Sequence, residues 1–243
     1  MNNQQKGNSM LPIAIIGLVL IFALVGGWVW YSSTATVKTN TAIKTPNKTS
    51  DTNYAEIYAK ASPGANPPQM LGSPTATVTV EEFADFQCPT CAAKHSIAKE
   101  IISTYGSRIK FIYRNFPLQI PAHDKAYDAS VGAEAAGLQG KFWDMQHQLF
   151  SNQTSWTTKD PAAFRGVLEE FAQKIGLDVE KFKNDMAGLQ AKSRVDLDLQ
   201  RGRSLRVSST PSFFVNGKPI ALEQMTVEGF KQAIDAELQK PQQ

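Results

Sequence analysis

EEFADFQCPTCAAKHS, residues 81–96, holds the only two cysteines of a 243-residue chain, Cys88 and Cys91. The residues before them read as a strand. TATVTVEEFADF, Thr75–Phe86, alternates β-branched residues and finishes on an apolar end. The residues after them read as a helix. Pro89 suits a first helical position, where its missing N–H costs nothing. Ile97, Ile101, Ile102 and Tyr105 supply an apolar stripe, and Gly106 is a natural stop. The spacing predicts a helix from Pro89 to about Tyr105, with both thiols at its start.

Further out, RIKFIYRNF, Arg108–Phe116, reads as a second strand. A β-α-β unit with a crossover of this length predicts a parallel pair. The next ninety residues or so are Ala-rich and helical, beginning with AHDKAYDASVGAEAAGLQGKFWDMQHQLF. Asp160-Pro161 and Asp178 look like helix caps. Phe164, Leu168, Phe171 and Ile175 follow a helical period, as do Val179, Phe182, Met186 and Leu189. Strand character returns in SFFVNGKPIAL, where Asn216-Gly217 between apolar runs is a two-residue hairpin signal. A last helix over Val227–Leu238 carries Val227, Phe230, Ile234 and Leu238 on one face. Neither flank closes a core alone. One α/β sheet interrupted by an all-helical insertion is therefore expected: residues 67–116, an insertion over 117–206, and a second half over 207–243.

Thiols three apart on a helix share a face and fall within disulfide reach. Cys88 would sit at the helix N-terminus, where free N–H groups and the macrodipole favour an anion. Its thiolate would attack or be attacked, and Cys91, one turn in and less exposed, would resolve the mixed disulfide. Two rivals stand beside this redox reading. A structural disulfide would close too short a loop to constrain the unfolded chain much. Cys88, Cys91 and His95 read C-x2-C-x3-H, but structural zinc wants four ligands, and only His123 and His147 remain, both in the helical block.

FADFQ, then CPTC opening a helix, IKFIYRNFPL, the helical insertion and STPSFFVNGKPI together resemble the DsbA-like disulfide oxidoreductases of the thioredoxin fold. The likeness runs from about Leu71 to Leu238. It implies a protein thiol–disulfide oxidoreductase with a redox disulfide between Cys88 and Cys91. It implies a cis Thr210-Pro211 bond beside that pair, with Thr210, Pro211, Pro89 and Thr90 facing the client. It also implies that Glu82 is a partly buried acid under the active site, able to relay the Cys91 proton if burial raises its pKa. Strand alternation puts Asp85 on the opposite face, where an exposed acid is expected. His95 reads as a solvated helix position and His123 as a residue that caps or packs. Thr90 stands where the best-known oxidases of the family carry His. Lacking that imidazolium, the Cys88 thiolate should be less favoured and the disulfide less oxidising.

The N-terminal part is of another kind. LPIAIIGLVLIFALVGGWVWY, Leu11–Tyr31, runs 21 residues without a charge. As a helix it would span about 31 Å, the thickness of a bilayer's hydrocarbon core. Trp28, Trp30 and Tyr31 crowd its far end, as interfacial rings do. SSTA at Ser32–Ala35 is the nearest approach to a signal-peptidase site, so an uncleaved signal anchor is expected after a short cytoplasmic tail, 1–10. Residues 32–66 read as a flexible linker spanning about 30 Å. Within it Tyr54–Ala61 could form two helical turns, with Tyr54, Ile57, Tyr58 and Ala61 on one side.

The expectation from these features is a C-terminal domain outside the cytoplasm on a single-pass anchor in the cell membrane. The leading expectation is an oxidase that introduces disulfides into client proteins bearing cysteine thiols. A quinone-linked membrane partner would reoxidise it. No cofactor, no metal and no nucleic acid are expected, since a formal charge of +3 decides little, and monomer is the default. The competing expectation is a surface-anchored domain that holds a protein or peptide, with the cysteines structural.

Overall fold

The computed structural model describes residues 51–241. The uncharged run Leu11–Tyr31 and the linker up to residue 50 lie outside them. Among the described residues no helix is long and apolar enough to cross a membrane.

The elements, in chain order, are α1 (Asp51–Lys60), β1 (Gln69–Gly72), β2 (Val78–Ala84), α2 (Pro89–Tyr105) and β3 (Ile109–Asn115). Then come α3 (Ala126–Gly137), α4 (Phe142–Ser151), α5 (Gln153–Trp156), α6 (Pro161–Lys174), α7 (Val179–Ala187) and α8 (Leu189–Ser204). The chain closes with β4 (Ser212–Val215), β5 (Lys218–Pro219) and α9 (Val227–Leu238). The strands form one sheet in the order β1-β3-β2-β4-β5. β2 and β3 are parallel, joined through α2; the other neighbours are antiparallel.

Alternation along the strands divides the sheet's two faces. Val78, Val80, Ile109, Phe111, Phe213 and Val215 pack against Ala98, Ile101 and Tyr105 of α2 and against Phe230 and Ile234 of α9. Phe83, Phe116 and Phe214 belong to a second cluster built with the helices between β3 and β4. Local chemistry sets the element ends. Asp160 accepts from Ala163 N and Asp178 from Lys181 N, each at 2.9 Å, capping α6 and α7. Gly106 ends α2 at φ +51° and returns its N–H to Ile102 O. Asn216 and Gly217 take φ of +46° and +78°, the left-handed pair a tight hairpin needs.

Two features differ from the sequence expectation. β2 begins at Val78 rather than Thr75, and β1 is a strand that QMLG does not announce, lying antiparallel to β3. Residues 51–66, close to half of the expected linker, are also part of the domain. Residues 51–60 are helical, and Tyr54, Ile57, Tyr58 and Ala61 pack on the core as their spacing suggests. Beyond them the backbone is held by arginines. Arg201 donates to Ser62 O, Arg114 to Pro63 O and Ala65 O, and Arg194 to Pro67 O, all within 2.8–3.2 Å. The ordered domain therefore begins well before residue 67.

Those arginines belong to a buried charge network. Glu81, with no solvent exposure, accepts from Arg114 Nε at 2.7 Å, from Arg201 Nε at 2.6 Å and Nη2 at 2.8 Å, and from Tyr58 OH at 2.9 Å. Burial alone would raise its pKa, but the two guanidiniums overcome that and hold it below the usual carboxylate range. Asp198 pairs with Arg114 at 2.9 Å, and Glu134 receives Asn115 Nδ2 at 2.7 Å. For both of these acids burial wins and the pKa is raised.

Gly202 lets α8 lie against the sheet. A Cβ there would stand 2.5 Å from two atoms of the Phe116 ring and 3.1 Å from Phe83. In an exposed helix Gly→Ala gains up to about 1 kcal/mol. Here Gly202→Ala is expected to cost about 1–3 kcal/mol, because the obstructing atoms are rings within the core. Urea unfolding of the two proteins measures it; an unchanged midpoint would mean that the Phe116 ring yields freely.

Candidate functional site

The site grows from the junction of β2 and α2. Cys88 is the N-cap residue of α2, with extended backbone (φ −74°, ψ 119°), and Pro89 takes the first helical position. No side chain caps this terminus, so its free N–H groups are left for the sulfur. Cys88 and Cys91 are both reduced and both buried, Cys91 completely. Cys88 Sγ donates to Thr210 O at 3.4 Å, and the Thr210-Pro211 bond is cis. The fold thus brings together Cys88, Cys91, Thr210 and Pro211 from segments 120 residues apart, with Pro89 and Thr90 exposed at the rim.

The two thiols differ sharply. The Cys91 thiol donates to Cys88, which lowers the Cys88 pKa to about 5. Burial opposes the shift; the Thr210 side chain and the backbone N–H groups of Cys91 and Thr90 add to it. Cys91 goes the other way. Burial pushes its pKa far up, and the bond to Cys88 and the Cys88 charge raise it further. One sulfur is poised as a thiolate while its neighbour keeps the proton.

Glu82 lies on the α2 face of β2, directly opposite Tyr113 of β3 and Phe213 of β4. It is buried, not an exposed strand acid, and burial raises its pKa to about 8. Its charge is among the influences that raise Cys91. The Tyr113 hydroxyl beside it is buried and has no hydrogen-bond partner.

The shift at Glu82 has a testable sign. The folded carboxyl keeps its proton to about pH 8, whereas an unfolded one loses it near 4.5. The unfolded state therefore gains on the folded one as pH rises from 4.5 to 8, and the penalty is constant above. Glu82→Gln removes that penalty. It is expected to match wild-type stability near pH 4 and to exceed it by a few kcal/mol at pH 8, at about 1.4 kcal/mol per pKa unit. Urea unfolding across that range checks it, and a pH-independent difference would remove Glu82 from the titrating groups.

Asp85 departs from the expected exposed acid. It is wholly buried, accepting from Gln87 N at 2.7 Å and Leu118 N at 2.8 Å, with His123 Nδ1 at 2.7 Å. It is the staple of the loop that delivers Cys88, and His123 packs against it. Two glutamines complete the support. Gln87 reaches Ala122 O and Asp124 and accepts from Lys125 N; Gln153 of α5 donates to Phe86 O at 2.7 Å and Cys88 O at 2.9 Å. The helical insertion thereby holds the carbonyl of the N-cap cysteine itself. No local signal marks Gln153, because its partners lie 65 and 67 residues away.

His95 is half-buried rather than solvated. Its ring lies 5.2 Å from Phe150 and 5.8 Å from His147. Burial, followed by His147 and Lys99, lowers its pKa to about 4.

Residues 65–236 match the family model described as "Thioredoxin". Over 181 residues the chain is 32% identical to "Probable disulfide bond formation protein D" of Bacillus cereus, covering 71% of this chain and 79% of that protein. Over 151 residues it is 35% identical to "Na(+)/H(+) antiporter NhaA 1" of Mycolicibacterium gilvum, covering 61% of this chain but only 23% of the antiporter. Oxidised BdbD from Bacillus subtilis superposes with a TM-score of 0.63 at 24% identity, over 74% of this chain and 99% of that one. A cysteine pair at a helix start, a mixed sheet interrupted by helices, and these alignments agree: the chain belongs to the thioredoxin family and is a relative of the disulfide bond formation proteins D.

Proposed function

We propose that this chain is a membrane-tethered oxidase that donates its Cys88–Cys91 disulfide to client proteins outside the cytoplasm. The observation that carries the reading is the geometry at the start of α2: Cys88 at an uncapped helix N-terminus beside the cis Thr210-Pro211 bond, with Cys91 buried one turn in. A client thiolate attacks Cys88 Sγ and forms a mixed disulfide; the S–S bond breaks and Cys91 leaves with the electron pair. Cys91 binds a proton strongly and takes one at once. Glu82, protonated at neutral pH, is suited to supply it. A second client thiolate then attacks the client sulfur of the mixed disulfide. Cys88 departs as a thiolate, which its depressed pKa favours. Two electrons have passed from client to protein, and the client holds a disulfide. Thr210 and Pro211 flank the attacked sulfur and would bear on the client's backbone, with Pro89 and Thr90 at the rim.

Stabilising the reduced form makes a disulfide a stronger oxidant. A quinone-linked membrane partner would restore the disulfide, and the Leu11–Tyr31 segment would keep the domain near it. The test is the reduction potential against glutathione. A value nearer about −120 mV than −270 mV is expected. With Thr90 in place of His it should fall somewhat short of the most oxidising relatives. A potential near −270 mV would reverse the direction to a reductase. A disulfide that small dithiols barely reduce would instead favour the domain that only holds a peptide.

A further inference from the structure

Across the seam between α2 and α4 two imidazole nitrogens face one another. His95 Nε2 and His147 Nδ1 stand 3.5 Å apart. That is long for a hydrogen bond from a ring N–H, whose normal range ends near about 3.2 Å. It is close to the spacing that a shared ion imposes. Imidazoles bound to one zinc at about 2.0–2.1 Å, with a tetrahedral angle between them, hold their nitrogens roughly 3.3–3.4 Å apart. We propose that His95 and His147 form a binding site for one divalent transition-metal ion of the zinc or copper kind, bridging α2 to α4.

The two rings come from elements already fixed by packing. Phe150 backs the His95 ring, and α4 carries His147 on its exposed side. Ser151 Oγ, 3.2 Å from His147 Nδ1, is a weaker oxygen donor within reach of the same point. A cavity of about 170 Å³ opens beside the rings, with Trp143 and Phe111 in its wall and Gln146 and Lys99 among its polar groups. It leaves space for the waters that would complete the coordination. Among the described residues no group of three or more His, Cys, Asp or Glu comes together as a ligand set. The site is therefore open and two-coordinate from imidazole, and copper should bind more tightly than zinc. For both nitrogens to offer lone pairs, the ring protons move to His95 Nδ1 and His147 Nε2. Neither cysteine is needed as a ligand, so the pair stays available for disulfide exchange.

The untagged full-length protein, oxidised at Cys88–Cys91 so that no thiol competes, is dialysed against Zn²⁺ and separately against Cu²⁺, and bound metal is counted. One ion per chain is expected, with a higher thermal midpoint, because an ion that binds only the folded chain stabilises it. His95→Gln and His147→Gln should each weaken binding at least tenfold. Lys99→Gln removes a repelling charge and should tighten it, a gain that misfolding cannot imitate. An absence of bound metal in the wild type, or wild-type affinity in both histidine variants, overturns the proposal.

Discussion

Cys88→Ser and Cys91→Ser are both expected to abolish dithiol oxidation, since neither keeps the disulfide. Only Cys91→Ser, whose Cys88 thiolate still attacks a disulfide in an oxidised client and expels one client thiolate, should accumulate mixed disulfides. The asymmetry follows from the two pKa values. At pH 7 a thiol with a pKa near 9 is about 1% ionised, and one near 5 about 99%. The environment at Cys88 therefore raises its thiolate fraction roughly a hundredfold, and a serine hydroxyl cannot take that place. Without Cys91 no internal thiol releases the client, since the chain has only two cysteines. Oxidation of a model dithiol peptide measures the first outcome, and non-reducing electrophoresis the second. Full activity in the Cys88→Ser protein would end the redox reading.

Glu81→Ala should be the most destabilising single change away from the cysteines. It strips the shared carboxylate from Arg114 and Arg201, whose side chains are only 5% and 10% exposed. Breaking a buried pair by removing one partner costs about 3–5 kcal/mol, because the remaining charge stays desolvated. Here two guanidiniums lose their partner, although Asp198 still faces Arg114. A fall of about 10 °C in thermal midpoint follows for a domain of this size. The neighbouring residue gives the contrast. Glu82 has no guanidinium against it, so Glu82→Gln is expected to stabilise above pH 5 while Glu81→Ala destabilises. Like signs at pH 8 would refute this account of the two faces of β2.

Much of the frame was readable from local pattern. The helices expected over Pro89–Tyr105 and Val227–Leu238 have those bounds, because each has a clear apolar period and a boundary residue suited to it, Pro89 and Gly106 for the first and Thr226 for the second. The hairpin at Asn216-Gly217 rests on turn chemistry and was equally legible. β1 was not: QMLG is four residues long, has no β-branched alternation, and owes its conformation to pairing with β3. The acids show a deeper limit. Glu81, Glu82 and Asp85 look alike along the strand, yet one is clamped by arginines, one is buried alone and one staples a loop. Apart from Gln87 N beside Asp85, the partners named above for Glu81 and Asp85 lie 23 to 120 residues away, where no local period reaches. The same holds for His95, whose neighbour His147 is 52 positions on.

The arginine clamp on residues 62–67 bears on how the domain could be held from its N-terminal side. Tyr58 packs beside Gly217, at the hairpin turn bonded to Thr79 near the start of β2. Cys88 follows the other end of that strand. Tension applied through the chain ahead of residue 51 would be delivered to α1, to the guanidiniums and to the far edge of the sheet. The loop carrying the reactive sulfur would be spared the load, and its geometry would not vary with how hard the domain is pulled.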